Sequence, residues 1–344
     1  MAIAIDAMGG DYAVTVPVEG AVNAVNDFGI DVILVGKQTE IETELKRYNY
    51  NESKLHIENC SEVVEMHESP AQALRQKKDS SIRIAVNLHR NKQADAVVTA
   101  GHTGASMATA KFVLKSIQGI DRPAIATVMP SLKNPCVILD IGANADCKPE
   151  YLLQFALMGD AFSRCLLSVK SPRVALLSNG EEEGKGNLLV KESYDLLKES
   201  TLNFIGNVEG KTMFQGLADV IVCDGFVGNI TLKVAEGTFD FIKQVLRDEV
   251  SKSWVAKLGY LGMRNPFQSL RKRAEYTDWG GAPLLGIQGM VIICHGNSTA
   301  HTYRNAIKHA QECVDLGLNE MIAREIMENE TLLQTAESKA VVAI

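Results

Sequence analysis

The sequence has little of what marks several common classes of protein. Aromatic residues make up 6% of its 344 positions, and tryptophan occurs twice. No apolar run approaches the ~20 residues a membrane-spanning helix needs. The opening MAIAIDAMGGD has no basic region ahead of a long apolar one, so no signal peptide is expected. Positive charge is not in excess. The net charge is −7, which excludes a whole-protein role on nucleic acid, because a phosphate backbone needs a basic face. Seven cysteines are scattered without a C-x-x-C pair. That spacing offers no zinc site and points to a reducing cytosol. Cys136, Cys223 and Cys294 fall inside apolar runs, where cysteine behaves as a small core residue.

What is present is an ordinary globular composition, 46% hydrophobic and 22% charged, over a length that suits one large or two ordinary α/β domains. Nine short runs read as strands: AIAID from Ala2, VILVG from Val32, ADAVVTA from Ala94, AIATVMP from Ala124, CVILDIG from Cys136, RVALLS from Arg173, LNFIGNV from Leu202, ADVIVCD from Ala218 and GMVIICHG from Gly289. Most are apolar throughout, as strands covered on both faces of a mostly parallel sheet must be. Segments of helical spacing lie between them, among them TGASMATAKFVLKSI and KPEYLLQFALMGDAFSRCLL. The alternation predicts a doubly wound α/β sandwich.

One segment differs. Residues 243–273 carry eight basic and two acidic side chains around the apolar WVAKLGYLGM. Two glycines there predict a bend between helical arms, TFDFIKQVLRDEVSKSWVAKL and PFQSLRKRAEY. Such a hairpin, with Trp254, Val255, Leu258 and Leu261 at its tip, suits the surface of an anionic bilayer. A dimer contact or a core-packing helix is the other reading.

Ligands of open α/β sheets collect beyond the carboxyl ends of strands. Six strand runs end in small, polar, glycine-bearing loops, at 7–11, 101–104, 143–146, 179–186, 225–229 and 297–299. Set on one edge of a sheet, they would make a site. In the loop 101–104, Gly101 and Gly104 let the backbone approach a ligand. A helix beginning near Thr103 turns free N–H groups toward an oxyanion, most simply phosphate. His102 adds a donor there, or is a hydrogen-bonded structural histidine. Lys185, between Gly184 and Gly186, is an anion-binding ammonium or a solvated surface lysine. Asn229 caps its helix or donates to a carbonyl oxygen.

Familiar signatures fail. No G-x-G-x-x-G follows a strand, against a dinucleotide site, and no G-x-S-x-G elbow exists. GNVEGKT is one residue short of a phosphate loop, and His295 and His301 lack the spacing of a helical metal pair.

Together, DAMGGD at 6–11, TAGHTGA at 99–105, DIGANAD at 140–146, FIGNVEG at 204–210, DGFVGN at 224–229 and GGAPLLG at 280–286 resemble the bacterial phosphate acyltransferase family. The motifs run in order from Ala2 to about Ala310. The resemblance implies a bilobed α/β unit over 1–310, related to isocitrate and isopropylmalate dehydrogenases and to phosphotransacetylase, with the hairpin at 235–275. Residues 311–344 then form an acidic helical extension. It implies a homodimer that needs no metal or nicotinamide and moves a fatty acyl group from acyl-acyl-carrier-protein to inorganic phosphate for phospholipid synthesis. The product would pass to a membrane glycerol-3-phosphate acyltransferase. The enzyme would be cytoplasmic and peripheral to the inner face of the cell membrane, and the basic hairpin face would also suit the acidic carrier protein.

On the matching positions, Lys185, Asn229 and His102 are the expected catalytic residues. Asp6, Gly9, Gly10, Gly101, Thr103, Gly104, Asn144, Asp224 and Gly228 are the expected substrate-binding ones. Where the family reads AGNTGA, His102 replaces the asparagine; HGNST at 295–299 and the glutamates before Lys185 also depart. Three alternatives stand beside this reading: a phosphotransacetylase-like enzyme using acyl-coenzyme A, a nicotinamide-dependent dehydrogenase, and a non-catalytic membrane scaffold for the carrier.

Overall fold

The structure is a computed structural model that describes residues 1–267, 269 and 280–342. Eleven strands form one sheet: β1 (Ala2–Asp6), β2 (Asp31–Gly36), β3 (Leu55–Asn59), β4 (Ala96–Thr99), β5 (Ala124–Met129), β6 (Cys136–Leu139), β7 (Val174–Ser178), β8 (Phe204–Glu209), β9 (Val220–Val222), β10 (Ala282–Leu285) and β11 (Val291–Ile293). Their order is β3-β2-β1-β4-β11-β10-β5-β6-β9-β7-β8. The helices are α1 (Thr15–Phe28), α2 (Gln38–Leu45), α3 (Pro70–Gln76), α4 (Ser81–Arg90), α5 (Thr103–Leu114), α6 (Pro149–Leu167), α7 (Leu188–Glu199), α8 (Gly225–Ser251) and α9 (Trp254–Gly262), followed by Ala300–Asp315, Leu318–Glu328 and Glu330–Val342.

The doubly wound, mostly parallel sheet is as expected. The runs in β1, β4, β6 and β9 are buried almost throughout, because helices cover both faces of these strands. Two strands escape sequence reading. In β3, LHIEN alternates with polar residues because it is the sheet's edge. β10 contains Pro283, which removes an N–H; the strand tolerates it because pairing with β5 begins only at Leu284.

Strand direction decides where the loops go. β1 is parallel to β2 and β4, and β4 to β11. β10 is antiparallel to β11 and β5, and β5 is antiparallel to β6. β6, β9, β7 and β8 then run parallel to one another, opposite to the first lobe. The six polar loops therefore do not share one edge. Those at 7–11, 101–104 and 297–299 end first-lobe strands, and those at 143–146, 179–186 and 225–229 end second-lobe strands.

α6 is the central pillar. It begins with Pro149 at its first position, where a missing N–H is harmless. Leu152, Leu153, Phe155, Leu157 and Met158 along it are at most 1% exposed; each contributes roughly 1.5–3 kcal/mol of burial. The helices at 318–328 and 330–342 lie against α6, placing Leu318, Ile322, Ile326 and Leu333 in the main core. Arg164 of α6 bridges Asp160 at 2.8 Å and Glu325.

α8 leaves the body. Only Gly225, Gly228 and Leu232 are buried along its 27 residues. One break after it falls at Lys252 and Ser253, which was not expected; the helix that follows ends at Gly262, where a glycine break was expected. The Ser253 hydroxyl accepts from the Ala256 N–H and starts α9, which contains Gly259 and Gly262. Trp254, Val255, Leu258 and Leu261 are 58–74% exposed. Most of the expected second arm, PFQSLRKRAEY, lies outside the described residues. No helix of the described residues is long and apolar enough to cross a membrane.

Candidate functional site

The first-lobe half is built on close backbone contact. A Cβ on Gly9 would meet the Gly101 nitrogen at 2.5 Å, and one on Gly10 would meet the Gly296 carbonyl oxygen at 3.0 Å. Gly10 also has φ +91°, which suits only glycine at low strain. Asp6 is buried beneath this contact. Its carboxylate accepts from the Thr99 hydroxyl at 2.8 Å and the Met8 N–H at 3.2 Å, while burial pushes its pKa up. Thr99 Oγ1 in turn accepts from the Gly101 N–H at 3.1 Å. Asp6, expected to bind substrate, reaches the 101–104 loop through Thr99.

His102 is the N-cap of α5. Its Nδ1 accepts from the Ala105 N–H at 3.4 Å, so the ring can aim only Nε2 at a ligand. The N–H groups of Thr103 and Gly104, at the helix start, have no hydrogen-bond partner among the described residues. Free amides at a 12-residue helix's positive end, beside an imidazole, can hold an oxyanion.

The second-lobe half centres on Asp140, which sequence reading passed over. Its fully buried carboxylate accepts from the N–H groups of Ile125, Gly142, Ala143 and Asn144 at 2.7–3.2 Å, and from Asn144 Nδ2 at 3.0 Å. Burial pushes its pKa up against the pull of these donors. The signal was a charge closing the apolar run VILD. Asn144 also donates to the Pro123 carbonyl oxygen at 2.8 Å, so its amide serves the loop.

α8 docks tightly on this turn. The Gly225 N–H donates to the Asn144 carbonyl oxygen at 2.7 Å. A Cβ on Gly228 would stand 1.9 Å from the Asp140 carbonyl oxygen. Asp224 caps the helix, accepting from the Phe226 and Val227 N–H groups at 3.0 and 2.9 Å. Those amides are spent, leaving Asn229, over Gly142, as the polar side chain at this helix start. Lys185 lies on the loop after β7, whose neighbour β9 leads to Asp224. It is exposed, with its stem against Gly180 and its N–H bonded to the Glu182 carbonyl oxygen at 3.0 Å.

The first-lobe loop lines a small pocket of its own, with Asp6, Gly9, Gly101 and His102, which neither Lys185 nor Asn229 lines; side chains of both lobes meet at the junction between them. A cavity of about 190 Å³ there is lined by Ile141 and Leu232 from the second lobe and by Ile293, His295, Asn297 and Ser298 from the first. His295 Nε2 reaches Glu236 of α8 at 3.8 Å. Leu232 also lines an apolar groove of about 630 Å³ that follows α8 outward past Met213, Phe214, Val234 and Ile242. The nearby thiols are poor nucleophiles: burial pushes Cys147 up to about 12 and Cys223 well above its ordinary value. No group of three or more His, Cys, Asp or Glu side chains among the described residues can hold a metal ion.

Known proteins match this chain closely. The model of the family described as "Fatty acid synthesis protein" covers residues 1–321. The chain is 49% identical over 332 residues to a phosphate acyltransferase of Geotalea uraniireducens, covering 96% of each. It is 52% identical over 325 residues to that of Dictyoglomus turgidum, covering 94% of this chain and 96% of the other. Among solved structures, a phosphotransacetylase from Streptococcus pyogenes superposes with TM-score 0.60 at 18% identity, over 92% of this chain and 94% of that one. That likeness shows the fold, the one related to phosphotransacetylases that was expected. By its family match and its relatives alike, the chain belongs to the phosphate acyltransferases of fatty acid synthesis, and it is an enzyme.

Proposed function

We propose that the protein moves a fatty acyl group from an acyl-acyl-carrier-protein thioester to inorganic phosphate, giving acyl-phosphate for phospholipid synthesis. A phosphate oxygen attacks the thioester carbonyl carbon and the C–S bond breaks. The carrier's sulfur leaves and takes up the proton that phosphate gives up. No covalent enzyme intermediate is required. The thiols pushed up by burial around Asp140 fit that route.

The observation that carries the reading is the pair of unengaged amides at Thr103 and Gly104 beside His102. They suit a phosphate held by the α5 N-terminus, with Gly9, Gly10 and Gly101 giving it room. Asn229 donates to the oxyanion that develops on the carbonyl, and Lys185 adds positive charge from its loop. The apolar groove along α8 takes the fatty chain, since it shares Leu232 with the junction cavity. The tip of α9 rests on the inner face of the cell membrane, and the exposed Phe241 and Val245 of α8 meet a second copy. From there the product reaches a membrane glycerol-3-phosphate acyltransferase.

The test is release of carrier thiol from acyl-carrier-protein with and without phosphate, run beside acyl-coenzyme A at equal concentration. Phosphate-dependent release, faster from the carrier, is expected. Faster release from coenzyme A would replace the donor, and release that ignores phosphate would end the reading.

A further inference from the structure

Although the chain carries −7 overall, cations gather between the end of α5 and the start of α6. Lys111 lies in the last turn of α5 and Lys115 caps that turn, its N–H bonded to the Lys111 carbonyl oxygen at 3.1 Å. Lys115 Nζ lies 5.0 Å from the ring of Phe112, and the Arg83 guanidinium of α4 lies 5.2 Å from it. Phe112 is 53% exposed, so this aromatic faces water with a cation on each flank. Lys111 Nζ donates to the Asp121 carbonyl oxygen at 2.9 Å, which brings the next residue, Arg122, beside it. Arg122 stands 5.8 Å over Tyr151, as does Lys148 at 6.0 Å.

The carboxylates nearby do little to cancel this charge. Glu150 is buried and 3.7 Å from Lys148. Asp121 accepts from Gln154 at 2.8 Å. Arg83, Lys115 and Arg122 make no ion pair among the described residues. A protein that leaves three cations unpaired beside two aromatic platforms holds a surface ready for an anionic partner.

The stripe ends at the candidate site. Arg122 precedes Pro123, whose carbonyl oxygen accepts from Asn144 Nδ2. Lys148 closes the loop that begins at Asp140. A partner seated here is positioned to pass a thioester on a flexible arm into the junction. The basic hairpin is on the part of the molecule that leaves the body.

We propose that this stripe, from Arg83 through Lys115 and Arg122 to Lys148, is the docking surface for the acidic protein that carries the acyl thioester. The proposal rests on the function given above. Charge of this kind acts mainly on encounter and register, and salt screens it.

The experiment compares two acyl donors on the full-length enzyme: the acyl carrier thioester and the uncharged acyl-pantetheine thioester. In Lys115→Glu/Arg122→Glu, KM for the carrier substrate is expected to rise tenfold or more, with kcat within twofold. Both constants for acyl-pantetheine stay within twofold, which shows the fold and site intact. Raising salt should raise the parent's carrier KM and move the variant's less. Lys257→Glu on the hairpin is the comparison. Carrier KM unchanged in the stripe variant, or raised only by Lys257→Glu, overturns the proposal. A loss of acyl-pantetheine turnover as large as the loss with carrier also overturns it, since the stripe would then act on the site itself. Failure of the parent to release thiol from either donor in response to phosphate defeats the functional reading instead, and this proposal with it.

Discussion

Asn229 stands over Gly142, where a Cβ would lie 3.9 Å from its Nδ2, and it is not the cap of its helix, because Asp224 is. An amide freed from capping and aimed over a glycine is placed to donate to a substrate oxygen. Asn229→Ala is expected to lower kcat by ~10²-fold, the scale for losing one preorganised donor, and Lys185→Ala to do the same for phosphate charge. Steady-state kinetics with saturating phosphate check both; turnover within a few-fold of the parent removes that residue from the mechanism. At this scale sequence reading picked out glycines whose backbone approach is tight, Gly9, Gly10 and Gly228, because that use is local. It could not see that Asp6, Asn144 and Asp224 bond neighbouring backbone, and Asp6 the Thr99 hydroxyl as well. It also passed over Asp140, whose importance comes from five donors brought from a loop and from the adjoining strand β5.

α8 and α9 carry the tests that belong to whole elements. Leu258 and Leu261, three apart on α9, point their apolar groups outward at 58% and 65% exposure. Leu258→Glu with Leu261→Glu is expected to release the enzyme from vesicles containing anionic lipid, while its size in solution is unchanged. Co-sedimentation equal to the parent's would dismiss α9 as a membrane contact. The apolar segment with basic flanks was legible, as was the helix end at Gly262. The earlier break was not, since nothing but Ser253, whose hydroxyl supplies the cap, marks it. Likewise β10 hid behind Pro283, because a strand that pairs with one neighbour at a time has places for a residue without an N–H.

For the whole molecule, the response to pH follows from α6 and the helix at 318–328. Burial, aided by Glu325 and opposed by Arg164, raises the Asp160 carboxyl from an ordinary 3.8 to about 6. A raised folded value favours the protonated form in the native state. The stability it contributes is full below pH 3.8 and is lost as pH rises through about 6. Asp160→Asn is therefore expected to be more stable than the parent at pH 8, by up to about 3 kcal/mol, and to lose that advantage toward pH 4. Urea unfolding at the two pH values decides it, and an advantage that does not change with pH would refute the assignment. The doubly wound sheet itself was legible in strand runs that are apolar throughout. The split of its loops between opposed strands was not, because direction is set by β10 and β5, a pairing that no local pattern announces.

That pairing has a mechanical side. Between β11 and β6 the sheet is stitched by two rungs on each flank of β10, at Ala282 and Pro283 and then at Leu284 and Leu285, where β1 and β2 share five. If the product is the acyl phosphate proposed above, a junction so lightly seamed is where an anhydride that water destroys would have to be kept from solvent.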